Sequence, residues 1–126
     1  MATIFTKILN REIPGQIVYE DGDFFAILDI HPKSSGHTLL IPKEEVANLH
    51  EVSEELGQKI IPTLQKVSKQ IKEKLNADGI KIIQNNGESA GQVVMHLHFH
   101  IIPYYLDNTK ALAKENLEEI AKKIVS

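Results

Sequence analysis

Apolar residues recur along this chain with two different periods. Leu56, Ile60, Leu64, Val67, Ile71 and Leu75 follow one another at steps of four, four, three, four and four, the single stripe of an amphipathic helix. The spacing predicts a helix over 53–76, with Ser53 as its cap and Glu54 and Glu55 at its positive end. Pro62 lies inside the stripe; it removes one intrahelical hydrogen bond and predicts a kink or a split there. The helix is expected to close at "ADG" (77–79), with Gly79 supplying a left-handed turn. The other apolar runs are short and bounded by turn residues. They predict strands at "IVYE" (17–20), "FFAILD" (24–29), "HTLLI" (37–41), "IKIIQ" (80–84) and a long "VVMHLHFHII" (93–102) that Pro103 ends. "EDGD" (20–23) reads as a tight hairpin turn, and "EIPGQ" (12–16), "IHPKSSG" (30–36) and "NNGESAGQ" (85–92) read as turns and loops. A short helix over 3–9 should face Ile4, Ile8 and Phe5 inward, and the mixed charge and periodicity of 111–125 predict an amphipathic C-terminal helix. This order of elements gives an α+β class with an antiparallel sheet of about five strands packed on the long helix.

Composition adds limits. At 126 residues the chain has the size of one domain, 1–126, and can bury roughly two-thirds of its unfolded surface without a disulfide. It has no cysteine, which excludes disulfides and thiolate metal sites. A net charge of -3 with no basic block excludes nucleic acid as a partner attracted by bulk charge. The longest apolar run, "FFAIL" (24–28), is far too short to cross a membrane. The start, "MATIFTKILNREIPG", lacks the apolar stretch of a signal peptide, which predicts a cytoplasmic protein.

Candidate chemistry concentrates in "HLHFHII" (96–102), which holds three of the six histidines at alternate positions. On an extended backbone His96, His98 and His100 share one face, while Leu97, Phe99 and Ile101 turn to the other and pack against the long helix. A face lined with imidazoles is a candidate working surface rather than core. Metal binding is one reading. His96 and His100 would lie about 13 Å apart at Cα, so all three could hardly converge on one ion, and further ligands such as His37 and Asp29 would have to come from elsewhere. Nucleophilic catalysis is the other. A neutral imidazole attacks phosphorus well, provided its second nitrogen is held by an acceptor. Such a site also needs donors around the phosphoryl oxygens and an acid for the leaving group, and a flanking histidine can supply either. The loop at 85–92, with Gly87 and Gly91, lets backbone N–H groups approach an anion and leads directly into the histidine segment.

With these residues the chain resembles the histidine triad (HIT) superfamily, whose motif His-φ-His-φ-His-φ-φ (φ apolar) "HLHFHII" fits at every position. "AGQVVM" resembles the family's phosphate loop, "AILDIHPKSSGHTLLIPK" (26–43) its "LD-I…P…GH-LVIPK" segment, and "IFTKILNREIPGQIVYEDGDFFA" its amino-terminal block. The match runs from about Ile4 to Pro103, and the C-terminal helix, about 110–125, resembles that of the small prokaryotic branch related to Hint proteins. The resemblance implies that His98 is the nucleophile, becoming transiently nucleotidylated, that His100 contacts phosphate oxygens, that His96 orients the site and that His37 backs the triad. It further implies that Asp29 holds ribose hydroxyls, that Ile30 lines the nucleoside pocket, and that Asn85, Gly91 and Gln92 surround the phosphate. Val93 stands where the Hint branch has a phosphate-contacting serine; its backbone N–H could still donate. Thr3 and Thr6 occupy the positions of a zinc-binding cysteine pair found in many relatives, so no structural metal is expected, and Tyr104 replaces a frequent arginine. His31 and His50 are expected at the surface. The implied protein is a homodimeric hydrolase, without cofactor or catalytic metal. It would cleave at the α-phosphate of purine nucleotide conjugates such as phosphoramidates, releasing AMP or GMP. A dinucleoside polyphosphate hydrolase, a nucleotide-binding regulatory module with incidental turnover, and a metal store or sensor are the alternatives.

Overall fold

Every residue of "FFAIL" is apolar, so a strand made of it needs cover on both faces, and the fold supplies both. The structure is a computed structural model that describes residues 2–107 and 116–126. Five strands, β1 (Ile17–Glu20), β2 (Phe24–Leu28), β3 (Thr38–Pro42), β4 (Gly79–Ile83) and β5 (Phe99–Tyr104), form one antiparallel sheet in the order β1-β2-β3-β5-β4. On one face lies the long helix α2 (Glu54–Leu75) with the C-terminal helix α3 (Leu117–Val125). Leu56, Ile60, Leu64, Val67 and Ile71 of α2 and Ile120 and Ile124 of α3 share a core there with Phe24, Ala26, Leu40, Phe99 and Ile101. On the other face the short helix α1 (Ile4–Leu9) places Phe5 over Phe25, Ile27, Leu39 and Ile41.

The expected class and strand content hold, and several boundaries differ for physical reasons. Helix α2 is continuous through Pro62. The ring sits on the exposed side, so the Gln58 carbonyl that loses its partner can turn to water, and no split results. Asn76, not Gly79, closes the helix in the left-handed region at φ 55°, and Gly79 instead opens β4; asparagine tolerates that conformation through its short polar side chain. In α1 Phe5 is buried while Ile4 is half exposed, since six residues span too few turns for periodicity to define a face. The hairpin turn at 20–23 forms as read: Asp21 Oδ1 accepts from the backbone N–H of Asp23 (2.8 Å) and Phe24 (2.7 Å). The C-terminal helix begins at Leu117 with Asn116 as its cap; residues 110–115 of the expected helix lie outside the described residues.

The largest difference concerns the histidine strand. β5 starts only at Phe99, and Pro103 lies inside it rather than after it. Tyr104 O accepts from Asp78 N, so the main-chain groups of residue 104 face β4 and those of Pro103 face the β3 side. There β3 has already ended, with Thr38 paired to Ile101, and no ladder partner awaits the missing N–H.

Candidate active site

Residues 96–98 approach β5 without joining its ladder. The Leu97 N–H donates to Val46 O at 2.8 Å, and the His96 ring, through Nε2, takes the Pro42 carbonyl at 2.8 Å that a strand neighbour would otherwise have used. The alternation of side chains survives. Leu97, Phe99 and Ile101 enter the core beneath α2. His100 stands opposite Leu39 on the α1 side, and the Phe5 ring packs against His96 (centroids 5.7 Å apart) and edge-on against His98 (5.0 Å). The imidazole face is therefore not an open surface: His96 is fully buried, and His98 keeps 8% of its exposure.

Each ring's proton can be placed from what the ring touches. A carbonyl only accepts, so His98 Nδ1, 2.8 Å from the His96 carbonyl, carries a hydrogen and donates it. In the neutral ring the lone pair then belongs to Nε2, which has no hydrogen-bond partner among the described residues. His96 Nε2 donates to Pro42 O, so its Nδ1 accepts the Thr3 hydroxyl at 2.6 Å. The Lys33 backbone N–H donates to His37 Nδ1 at 3.1 Å, which puts the His37 proton on Nε2. That nitrogen lies 3.0 Å from His100 Nδ1 and 3.5 Å from Asp29 Oδ2. His100 Nδ1 thus accepts, and His100 Nε2 is left as a donor. The outcome is one free lone pair, on His98, beside one free N–H, on His100, with the two rings 5.1 Å apart.

Electrostatics hold all four rings neutral. Burial lowers the pKa of His37, His96 and His98 below the ordinary imidazole value. Burial, reinforced by the neighbouring His98 and His37, brings His100 down to about 4. Asp29 partly opposes this at His37, His98 and His100.

The remaining expected residues divide. Asp29 caps a turn through Oδ1, which accepts from the His31 N–H at 2.9 Å, and presents Oδ2 to His37. Ile30 beside it is 68% exposed, and Val93 on the other approach is 88% exposed. Gly87 and Gly91 both take φ 97°, outside the reach of most side chains, and the Asn85 side chain lies beside Gly91. The Gln92 side chain is buried and ties the loop to its surroundings: Oε1 accepts from Gly87 N (2.8 Å), and Nε2 donates to Ala47 O (2.6 Å) and Val94 O (3.0 Å). His31 and His50 are exposed, as read. Thr3, Phe5, Pro42 and the Lys33 N–H shape the site without having been singled out for it. Thr3 was noted only as standing at a cysteine position of relatives, and its cap position marks a helix start and says nothing of a histidine ninety-odd residues on.

Asp29, His37 and His100 are also the one group among the described residues whose donor atoms, all within 4.8 Å of one another, could surround a metal ion. The Lys33 N–H opposes that use. It keeps the His37 proton on Nε2, the nitrogen that would have to bind.

The comparisons with known proteins bear on this geometry. The family model described as the HIT domain matches residues 10–107. The chain belongs to the HIT family. It is 40% identical over 126 residues to an uncharacterized HIT-like protein of Methanocaldococcus jannaschii, covering 96% of this chain and 97% of that one. It is 45% identical over 103 residues to the adenosine 5'-monophosphoramidase hnt1 of Schizosaccharomyces pombe, covering 82% of this chain and 74% of the relative. Among solved structures, a Hit-like protein involved in cell-cycle regulation from Bartonella henselae superposes with a TM-score of 0.86 at 44% identity, over 98% of this chain and 94% of that one. As a HIT protein this chain is a nucleotide hydrolase.

Proposed function

We propose that this HIT protein hydrolyses purine nucleoside phosphoramidates, or related conjugates of AMP or GMP, at the α-phosphorus through a covalent nucleotidyl intermediate on His98. The observation that carries the reading is the free lone pair on His98 Nε2, enforced by the hydrogen bond from Nδ1 to the His96 carbonyl. The name of the S. pombe relative, an adenosine 5'-monophosphoramidase, supports the substrate class.

In the first step the His98 Nε2 lone pair forms a bond to phosphorus as the P–N bond to the leaving amine breaks, and the amine departs with a proton taken up from its surroundings. The nucleotidylated ring retains its Nδ1–H, still bonded to the His96 carbonyl, so it is cationic and a good leaving group. In the second step water attacks phosphorus, loses a proton, and His98 leaves as neutral imidazole. The His100 N–H stabilises the phosphoryl oxygens while charge develops on them. The Val93 N–H and the Asn85 side chain complete the phosphate cradle; the N–H groups of Gly87, Ala90, Gly91 and Gln92 are spent within the loop, so Gly91 and Gln92 shape the cradle as scaffold. Ile30 offers an apolar wall to the base, and Asp29 holds the ribose hydroxyls. No metal or other cofactor is required. A homodimer in the cytoplasm completes the reading; light scattering after size-exclusion chromatography reads the oligomeric state.

The test is His98→Ala assayed on adenosine 5'-phosphoramidate. Activity is expected to fall by about a thousandfold or more, while AMP binding by calorimetry is retained. A denaturing quench kept alkaline, because the P–N bond to imidazole is acid-labile, should show one adenylyl group on the unmutated protein by intact mass. Turnover unaffected by His98→Ala refutes the mechanism, and binding without turnover in the unmutated protein assigns a nucleotide-binding module instead.

A further inference from the structure

We propose that Thr3 is a positioning residue for the nucleophile, acting through His96. The inference rests on His98 as the attacking group, and it concerns what holds that group still.

The His98 ring is aimed by one bond, from its Nδ1 to the His96 carbonyl. The value of that bond depends on how firmly residue 96 is fixed. Its ring is pinned at both nitrogens, by Pro42 O on one side and by the Thr3 hydroxyl on the other. The Pro42 acceptor belongs to the sheet, whereas the Thr3 donor comes from α1. A hydroxyl has one proton, and here it goes to His96 Nδ1, because the other bond of Thr3 Oγ1 is accepted from the Thr6 N–H at 3.3 Å. Without that proton the lone pair of a fully buried ring would lie unpaired. The ring could then flip or exchange its tautomer, and the carbonyl it carries would lose its fixed direction.

Thr3 is itself anchored. Its backbone N–H donates to Glu45 Oε1 at 2.9 Å, and the Thr6 hydroxyl donates to the same oxygen at 2.5 Å. The relay runs from Glu45 through Thr3 to the His96 ring, and from the His96 carbonyl to His98. Phe5, on the same helix, closes over the His98 ring. Helix α1 thus brings a polar and an apolar support to the nucleophile in one element.

Three variants and one spectrum test this. Thr3→Val, close in shape but without the hydroxyl, is expected to lower kcat about tenfold or more while KM stays within about twofold, assayed well below its melting temperature. Thr3→Ser keeps the proton and should restore kcat to within about twofold of the unmutated protein. Thr6→Val removes one of the two bonds to Glu45 at this anchor but keeps the Thr3–His96 bond, and should lower kcat by less than Thr3→Val does. In the unmutated protein, the imidazole ¹⁵N resonances should show His96 protonated at Nε2 and His98 at Nδ1, with a second His98 tautomer emerging in Thr3→Val. Unchanged kcat in Thr3→Val, failure of serine to rescue, or an equal loss in Thr6→Val overturns the proposal. So does a His96 found protonated at Nδ1, a result that needs no variant to fold. Absence of turnover in the unmutated protein would refute the substrate reading instead, and the tautomer measurement would still decide the role of Thr3.

Discussion

A single peptide carbonyl, that of His96, decides which nitrogen of His98 keeps its lone pair. His37 does the corresponding work for His100: it presents a hydrogen to Nδ1 and so leaves the outward nitrogen as a donor. His37→Ala removes this constraint and lets the His100 proton occupy either nitrogen. Initial rates on a nucleoside phosphoramidate should fall about tenfold or more, as for loss of a donor to developing charge; a variant at full rate would show that the His100 proton needs no such guide. Much at this scale was legible from the chain. Alternation in "HLHFHII" separated the imidazoles from Leu97 and Phe99, and the packing partners keep the separation: Leu97 and Phe99 join the core under α2, while Phe5 packs on His96 and His98. The pairing of His37 with His100 was not legible from spacing, because the register of β3 on β5 brings together residues 63 apart. Nor did spacing show what the Gln92 amide does: it is buried and ties the loop at Gly87 to Ala47 and Val94.

At the scale of elements, Pro62 gives the clearest prediction. It sits inside the continuous helix α2 at an exposed position where nothing in the packing demands it. Pro62→Ala restores a hydrogen bond to the Gln58 carbonyl and removes the ring's clash, against a smaller loss of rigidity in the unfolded chain. A gain of about 1–2 kcal/mol is expected from urea unfolding; a loss would mean that the proline stabilises α2. The helix itself was legible because six apolar positions over five turns leave one solution. The extent of β5 was not. An apolar run reports burial, and 93–98 is partly buried without a ladder, since the chain there leaves β3 to bond Val46 and to place the His96 ring on Pro42. The inward face of α1 was hidden because six residues give little periodicity; Phe5 in the core and the tertiary bonds of Thr3 and Thr6 hold the helix in place.

For the whole molecule, four imidazoles held neutral make folding sensitive to acid. Their folded values lie below the ordinary one, and His100 falls to about 4. Below about pH 6.5 the unfolded chain takes up protons that the native state refuses, so the stability present above that pH is lost progressively as pH falls toward 4. The urea midpoint should decline between pH 7 and about 5, before carboxylates titrate; a flat profile over that window would contradict neutral burial. No helix among the described residues is long and apolar enough to cross a membrane. One last consequence follows from the 93 residues that separate Thr3 from His96. The two ends of the working site are made far apart in time, as the ribosome delivers the first turn long before the triad. The Thr3 hydroxyl therefore waits for its ring until residue 96 is made, and a cut between α1 and β1 would leave the histidines in place yet remove the hydroxyl that the buried His96 ring bonds.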